Sequence, residues 1–253
     1  MSAPPHRTRT PAGGGVLVAH QPAYLPWPGY FSRLLDLDRL VLLDHVQFTK
    51  GGWQHRNYIR APRGGPLRLT VPVRHHFGQP LRDVRIAGDQ WRARHWRALT
   101  DSYARAPYWG TYAERLHAIY RRPWTSLVEL NEALLRLLLD GFGLPVALLR
   151  STDLSPAGMR TEMLADLCQR TGAQVLRAGV GGAGYLDARV LGACGISVEI
   201  ATYTTPPYPQ PGSTFTPGLS AVDLLLQRGP QARDTLEQGA CTGRWRPTEA
   251  AIA

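Results

Sequence analysis

VLVAHQPAYLPWPGYFSRLLDLDRLVLLD, residues 16 to 44, decides how the rest of the chain is read. It opens on a short apolar run, Val16 to Ala19, that reads as a buried strand. Tyr30 to Leu37 has helical spacing, and Arg39 to Leu43 is a second apolar run ending at Asp44. Strand, loop, short helix and strand in this order are most simply a right-handed crossover between parallel strands. The loop itself is HQPAYLPWPGYF, residues 20 to 31. Its prolines at 22, 26 and 28 pin the backbone and remove donors. They also push Gln21, Leu25 and Trp27 toward extended conformations. A stiff loop is therefore expected where a parallel strand ends, the edge at which open α/β sheets bind ligands. His20, Gln21, Tyr24, Trp27 and Tyr30 become a candidate pocket wall, apolar area with a few placed polar groups. The rings of Trp27 and Phe31 also suit core packing.

Beyond Asp44 the pattern continues. A polar and aromatic segment broken by glycines, residues 44 to 65, precedes a strand at Leu67 to Val73 and a short one at Val84 to Ile86. Three helical patterns follow, Trp91 to Tyr103, Tyr108 to Arg121 and Ser126 to Leu139, with Pro107 and Pro123 at their boundaries. Strands are then expected at Val146 to Leu149, Gln174 to Ala178 and Ile196 to Ile200, with a helix at Thr161 to Arg170 closed by Gly172. GVGGAG reads as a loop, and Tyr185 to Leu191 as a helical turn. A proline-rich stretch leads to helices around Leu219 to Leu226 and Pro230 to Gln238. Strands and helices alternate at both ends of a helical middle. The expectation is an α/β fold with a mostly parallel sheet, Rossmann-like or nucleotidylyltransferase-like layering and a helical insertion. One domain is expected over 16–239, between a disordered lead-in at 1–15 and a loose tail at 240–253.

Composition narrows the class. The chain has 253 residues, long enough for a sizeable core, with mean hydropathy −0.23. No apolar run approaches the roughly 18–20 residues of a bilayer span. No apolar stretch follows the arginines of the N-terminus, so no signal peptide is expected. Three widely spaced cysteines, Cys168, Cys194 and Cys241, suggest neither a disulfide framework nor a zinc site, and a reducing cytoplasm fits. The net charge is +10, yet Lys50 is the sole lysine and the arginines are scattered. Genome composition accounts for this better than a nucleic-acid footprint, while anionic small molecules remain compatible partners.

Several residues could carry chemistry. Asp44 ends the second strand as His20 ends the first, so its carboxylate could orient the imidazole of a general base; a loop-capping aspartate is the plainer alternative. Gln47, Arg56, Asn57 and Arg60 follow in the glycine-flanked segment, and the two arginines could hold a phosphate or carboxylate. AGVGGAGYLD, 178 to 187, lies between a strand and a helix and contains Gly182, Tyr185 and Asp187. Its frame is not GxGxxG, so it reads as an anion cradle or a tight turn rather than a dinucleotide site. Ser220 and Asp223 open a helix that they could cap. No GxSxG, HExxH or HxH spacing is present, and no metal site is expected.

HQPAYLPWPGYF, LLDHVQFTKGGWQHRNYIR, LTVPV, WRARHW, GAGYLD and TFTPGLSAVDLLLQRG, in this order, resemble the WbqC-like protein family from His20 to Gly239. The resemblance implies motif positions at His20, Gln21, Tyr24, Trp27, Gly29, Asp44, Gln47, Arg56, Asn57, Tyr185, Asp187, Ser220 and Asp223. His45 departs from it, standing where a second acidic residue is expected. The implied activity is attachment of an acyl or aminoacyl group to an amino sugar or related natural-product amine. No tightly bound cofactor is expected; an activated donor, thioester or adenylate, would be the co-substrate, and an acyl carrier protein is a candidate partner. A weaker similarity links the opening block to nucleotidylyltransferase-like enzymes, but Tyr30 stands where those keep a second histidine. A ligand-binding protein that holds a nucleotide sugar or acyl donor without turnover is the alternative.

Overall fold

The computed structural model describes residues 15–245. The first strand, β1 (Gly15–His20), runs into the proline-rich loop and a short helix, α1 (Pro28–Ser32). Pro28 occupies the first helical turn, where its missing N–H costs nothing. This helix is shorter than the Tyr30–Leu37 pattern suggests, and Asp36 takes a left-handed φ of 60° just beyond it. The chain returns through β2 (Arg39–Leu42), parallel to β1.

An excursion follows. Two antiparallel pairs form from β3 (Arg56–Arg60) with β4 (Pro66–Thr70), and β5 (Val73–Arg74) with β6 (Arg85–Ile86). The first pair closes through Gly64 and Gly65, both at positive φ, where a side chain would be strained. The sequence pattern hid β3 among its polar residues. The single strand expected over Leu67–Val73 is split at Pro72, which has no N–H for a ladder. Helices α2 (Gln90–Tyr103) and α3 (Trp109–Arg121) complete the excursion. Helix α4 (Leu127–Gly141), capped by the Ser126 side chain on Glu129 N–H, brings the chain back to the sheet.

The second half adds β7 (Ala147–Arg150), α5 (Ser151–Leu154), α6 (Thr161–Thr171), β8 (Ala173–Gly179), α7 (Val180–Ala183), α8 (Ala188–Ala193), β9 (Ser197–Tyr203), α9 (Ala221–Arg228), α10 (Ala232–Gly239) and β10 (Ala240–Arg244). The GVGGAG stretch, read as a loop, contains the single helical turn α7. Residues 240–244, expected to be part of a loose tail, instead pair antiparallel with β9. Alternation is weak there because the strand is an exposed edge. Of the expected lead-in only Gly15 is described; the rest of it and residues 246–253 lie outside the described residues.

The central sheet has the order β10-β9-β8-β1-β2-β7, parallel throughout except for β10. The inner strands β1 and β2 bury apolar side chains on both faces, as strands covered by two layers must. Leu17 and Val41 point into one cluster with Leu167 of α6 and Leu191 of α8. Val18, Leu40 and Leu42 point into the other with Leu34, Leu134, Leu225 and Leu236. Each such fully buried side chain contributes roughly 1.5–3 kcal/mol. The result is an α/β fold of three layers, Rossmann-like in arrangement, with the excursion 45–126 extending one layer. No helix among the described residues is long and apolar enough to cross a membrane.

Candidate functional site

From β1 the chain moves to β2 and β7 on one side, then returns to β8 on the other. Strand order therefore reverses between β1 and β8, and an open α/β sheet offers its ligand crevice outside the carboxyl ends of such strands. A cleft of about 1040 Å³ opens there. His20 ends β1 and Gln21 follows it, Arg177 to Gly179 end β8 with Val180 to Gly182 of α7 beyond, and Ala201 to Tyr203 end β9. Trp27, Gly29 and Arg33 form one wall, with Arg160 and Thr161 at the start of α6, and Tyr185, 81% exposed, at the rim.

The proline loop that presents this wall is held by its carbonyls. Asn57 Nδ2 donates to Leu25 O at 2.5 Å, Asn131 Nδ2 to Pro22 O at 3.3 Å, and Ala221 N–H to Pro26 O at 2.8 Å. These bonds keep Leu25 at a φ of 44°, which a leucine adopts only when its surroundings impose it. Gln54 Nε2 donates to Gln21 Oε1 at 2.6 Å, orienting that amide at the cleft. Gly29 is required by close approach, because a Cβ would lie 3.0 Å from Tyr203 Cβ and 3.1 Å from Trp27 Nε1.

His20 packs edge-on against Tyr30 at 4.8 Å and Trp27 at 5.8 Å between ring centres. Its Nδ1 lies 2.8 Å from the Gln21 carbonyl, which can only accept, so Nδ1 carries the proton. Nε2 then holds the lone pair; it has no hydrogen-bond partner among the described residues and is not sealed in the core. Burial, with the Arg33 charge adding to it, lowers the imidazole pKa to about 3, although the Gln21 bond works the other way. The ring is therefore neutral at physiological pH.

Arg33 is 7% exposed. Its Nε donates to Gly29 O at 3.2 Å, and its guanidinium lies 5.6 Å from the Tyr30 ring centre and 5.8 Å from that of Trp27. Neither terminal nitrogen has a hydrogen-bond partner, and no carboxylate lies within ion-pair distance among the described residues. Burial lowers its pKa. Gly179 leaves the space this arginine occupies, since a Cβ there would approach Nη1 to 3.0 Å. Arg177 is committed elsewhere: its Nε pairs with Glu199 at 2.9 Å and its Nη1 donates to the carbonyls of Arg33 and Leu35. Arg160 is exposed and holds a φ of 51°, a strained value for a residue with a side chain.

Of the residues proposed from sequence, His20, Gln21, Trp27, Gly182 and Tyr185 line the cleft. Tyr30 lies behind His20, its hydroxyl buried without a partner. Asp44 does not orient His20. Its Oδ1 accepts from Ser151 Oγ at 2.9 Å, Thr152 N–H at 2.9 Å and Thr152 Oγ1 at 2.8 Å, which anchors α5 to the end of β2. Tyr24 is in the core, bonded to His95 Nδ1 and Tyr120 OH, both at 2.7 Å. Asn57 fixes the loop, and Arg60 bonds Thr216 at 2.8 Å, Gln210 at 3.3 Å and the Pro211 carbonyl. Gln47 bridges to Pro80, while Arg56 lies beside Gly51. Asp187 caps α8 and Ser220 caps α9. Asp223 is buried, accepting from Tyr208 OH at 2.6 Å and Gln210 Nε2 at 2.8 Å; burial raises its pKa. Sequence reasoning missed Arg33, Arg160, Arg177 and Tyr203. The one signal for Arg33 was its place four residues after Gly29, at the end of the short helix that opens beside the cleft.

Among the described residues no group of three or more His, Cys, Asp or Glu side chains could hold a metal ion. The model of the WbqC-like protein family matches residues 21–235. A Mycobacterium tuberculosis protein, "Uncharacterized protein Rv1507c", is 34% identical over 219 residues, covering 85% of this chain and 95% of that protein. No solved structure matches. The chain belongs to the WbqC-like protein family.

Proposed function

We propose that this member of the WbqC-like family forms an amide by acyl or aminoacyl transfer to a small amine, such as an amino sugar, in the cleft between β1 and β8. The observation that carries this reading is His20, a neutral imidazole with one nitrogen fixed by Gln21 O and the other free. The amine nitrogen attacks the carbonyl of an activated donor, a thioester or acyl adenylate. The C–N bond forms, and the nitrogen of the tetrahedral adduct becomes far more acidic than the free amine. His20 Nε2 takes that proton, the C–S or C–O bond to the leaving group breaks, and the proton passes to the released thiolate or phosphate. The adduct's proton, unlike that of the free amine, is acidic enough for a neutral imidazole to accept. Activation arrives with the donor because the cleft wall offers no Ser or Cys nucleophile beside a base. Trp27, Tyr203 and Tyr185 supply flat apolar area for the acceptor or the acyl group.

Purified protein incubated with amino sugars and acyl thioesters or acyl adenylates, read by mass spectrometry, tests this. The expected product has the mass of the amine plus the parent carboxylic acid of the acyl group less water. Binding of donor and acceptor without product across the donor series would instead identify a non-catalytic ligand-binding protein.

A further inference from the structure

The described residues lining the cleft include three arginines and no aspartate or glutamate. Glu199, just outside, neutralises Arg177. Among the described residues Arg33 and Arg160 have no carboxylate partner, and Arg33 lacks one while almost fully buried. Burying a guanidinium without a counter-ion is costly, and proteins retain such an arrangement where the counter-ion arrives with a ligand. The charge left over is about two. A carboxylate would match half of it, and a phosphate group at roughly −1.5 to −2 would match nearly all. The planar guanidinium also fits phosphate oxygens two at a time. The cleft is at the upper end of the roughly 300–1000 Å³ of small-molecule sites, so the phosphate can belong to something as large as a nucleotide-linked sugar.

We infer that the cleft takes a phosphate-bearing substrate, a sugar phosphate or nucleotide-linked amine, with Arg33 as the residue that binds the phosphate and Arg160 as the second cation at the rim. This rests on reading the cleft as the transferase site and names its substrate class. One consequence links the two. The Arg33 charge helps to keep His20 unprotonated, so an anion on Arg33 makes the imidazole a stronger base when the substrate is present.

Calorimetric titration with pyrophosphate and with uridine diphosphate tests the inference, with acetate and uridine as controls. Both phosphates should bind, and acetate and uridine at least about ten-fold more weakly. If uridine diphosphate exceeds pyrophosphate the ligand is nucleotide-linked; equal affinities point to the phosphate alone. Arg33→Gln should weaken binding roughly 10–100-fold, Arg33→Lys less, and Arg97→Gln, an exposed helix residue, not at all. Acetate binding as well as pyrophosphate, or Arg33→Gln binding pyrophosphate as the native chain does, overturns the inference. So does the absence of any phosphate binding by the native chain, a result that stands even if Arg33→Gln fails to fold. Binding is read without turnover. A chain that binds pyrophosphate through Arg33 yet never makes amide loses the transferase reading and keeps this one. A chain that acylates a phosphate-free amine equally well with and without Arg33 does the reverse.

Discussion

Arg33 and Arg60 are buried to nearly the same degree, 7% and 6% exposed, and they do opposite things. Arg60 uses its fork inside the fold, tying the proline-rich segment at Gln210, Pro211 and Thr216 to β3. Arg33 keeps both terminal nitrogens for the cleft. The same contrast separates the two strand ends: Asp44 gives one carboxylate oxygen to three donors, and His20 leaves Nε2 without a partner. The arginines share their burial, and the strand-end pair shares its address. What marks the site is hydrogen-bonding capacity that the fold leaves unused.

Four measurements would break or sharpen this contrast. The largest effect is expected at His20, where His20→Gln should lower kcat by roughly 10²–10⁴-fold in the amide-forming assay. Turnover within a few-fold of the native chain would remove His20 from the chemistry. Next is Arg60→Met, which strands the acceptors that Arg60 now satisfies and should cost about 3 kcal/mol in urea unfolding. A loss below about 1 kcal/mol would show that the fork is not a structural clamp.

The third measurement is stability against pH. His20 and His95 are lowered to about 3 and 4, mainly by burial, and His45 and His55 are lowered in the same direction. Below pH 6.5 the unfolded chain binds protons that these folded imidazoles refuse. Stability is therefore greatest above 6.5 and falls as pH drops toward 4, by up to about 1.4 kcal/mol per pH unit for each fully buried ring. Asp223, with its pKa raised by burial, acts in the opposite sense, so the useful readout is the difference between the native chain and His20→Gln. The variant should show the shallower slope. An unchanged slope would mean that the imidazole protonates freely in the fold. The smallest effect is at Arg33, where removing an uncompensated buried charge offsets the lost bond to Gly29. Arg33→Gln should shift stability by less than about 1 kcal/mol in either direction. A loss as large as that of Arg60→Met would place Arg33 with the structural arginines.

Much of the scaffold was legible. Val16 to Ala19 and Arg39 to Leu43 read as buried parallel strands because both faces are covered and no polar residue interrupts them. Gly172 closed its helix as a left-handed C-cap, and the prolines foretold a stiff loop at a strand end. The site was legible only in part. His20 and Asp44 occupy equivalent ends of neighbouring strands, but the groups that claim Asp44 come from Ser151 and Thr152, far along the chain. Tyr24 was read toward the pocket and turns instead to His95 and Tyr120, an arrangement set by helices of the excursion. Arg33 was lost among many arginines. It lies against β8 at Gly179 and Arg177, which a local pattern does not contain.

The pairing of Gly15 with Ala173 has a consequence for how the molecule comes into being. β1 is the middle strand, yet one of its flanks receives a neighbour only after some two-thirds of the chain has been made. During synthesis that flank is an open, apolar strand edge, and such edges seek other chains. Closing so long a loop is also slow. Nascent chains and truncations ending before β8 should therefore depend on chaperones and aggregate readily. They would carry His20 and Arg33 in sequence, but not the β8 and β9 wall that faces them.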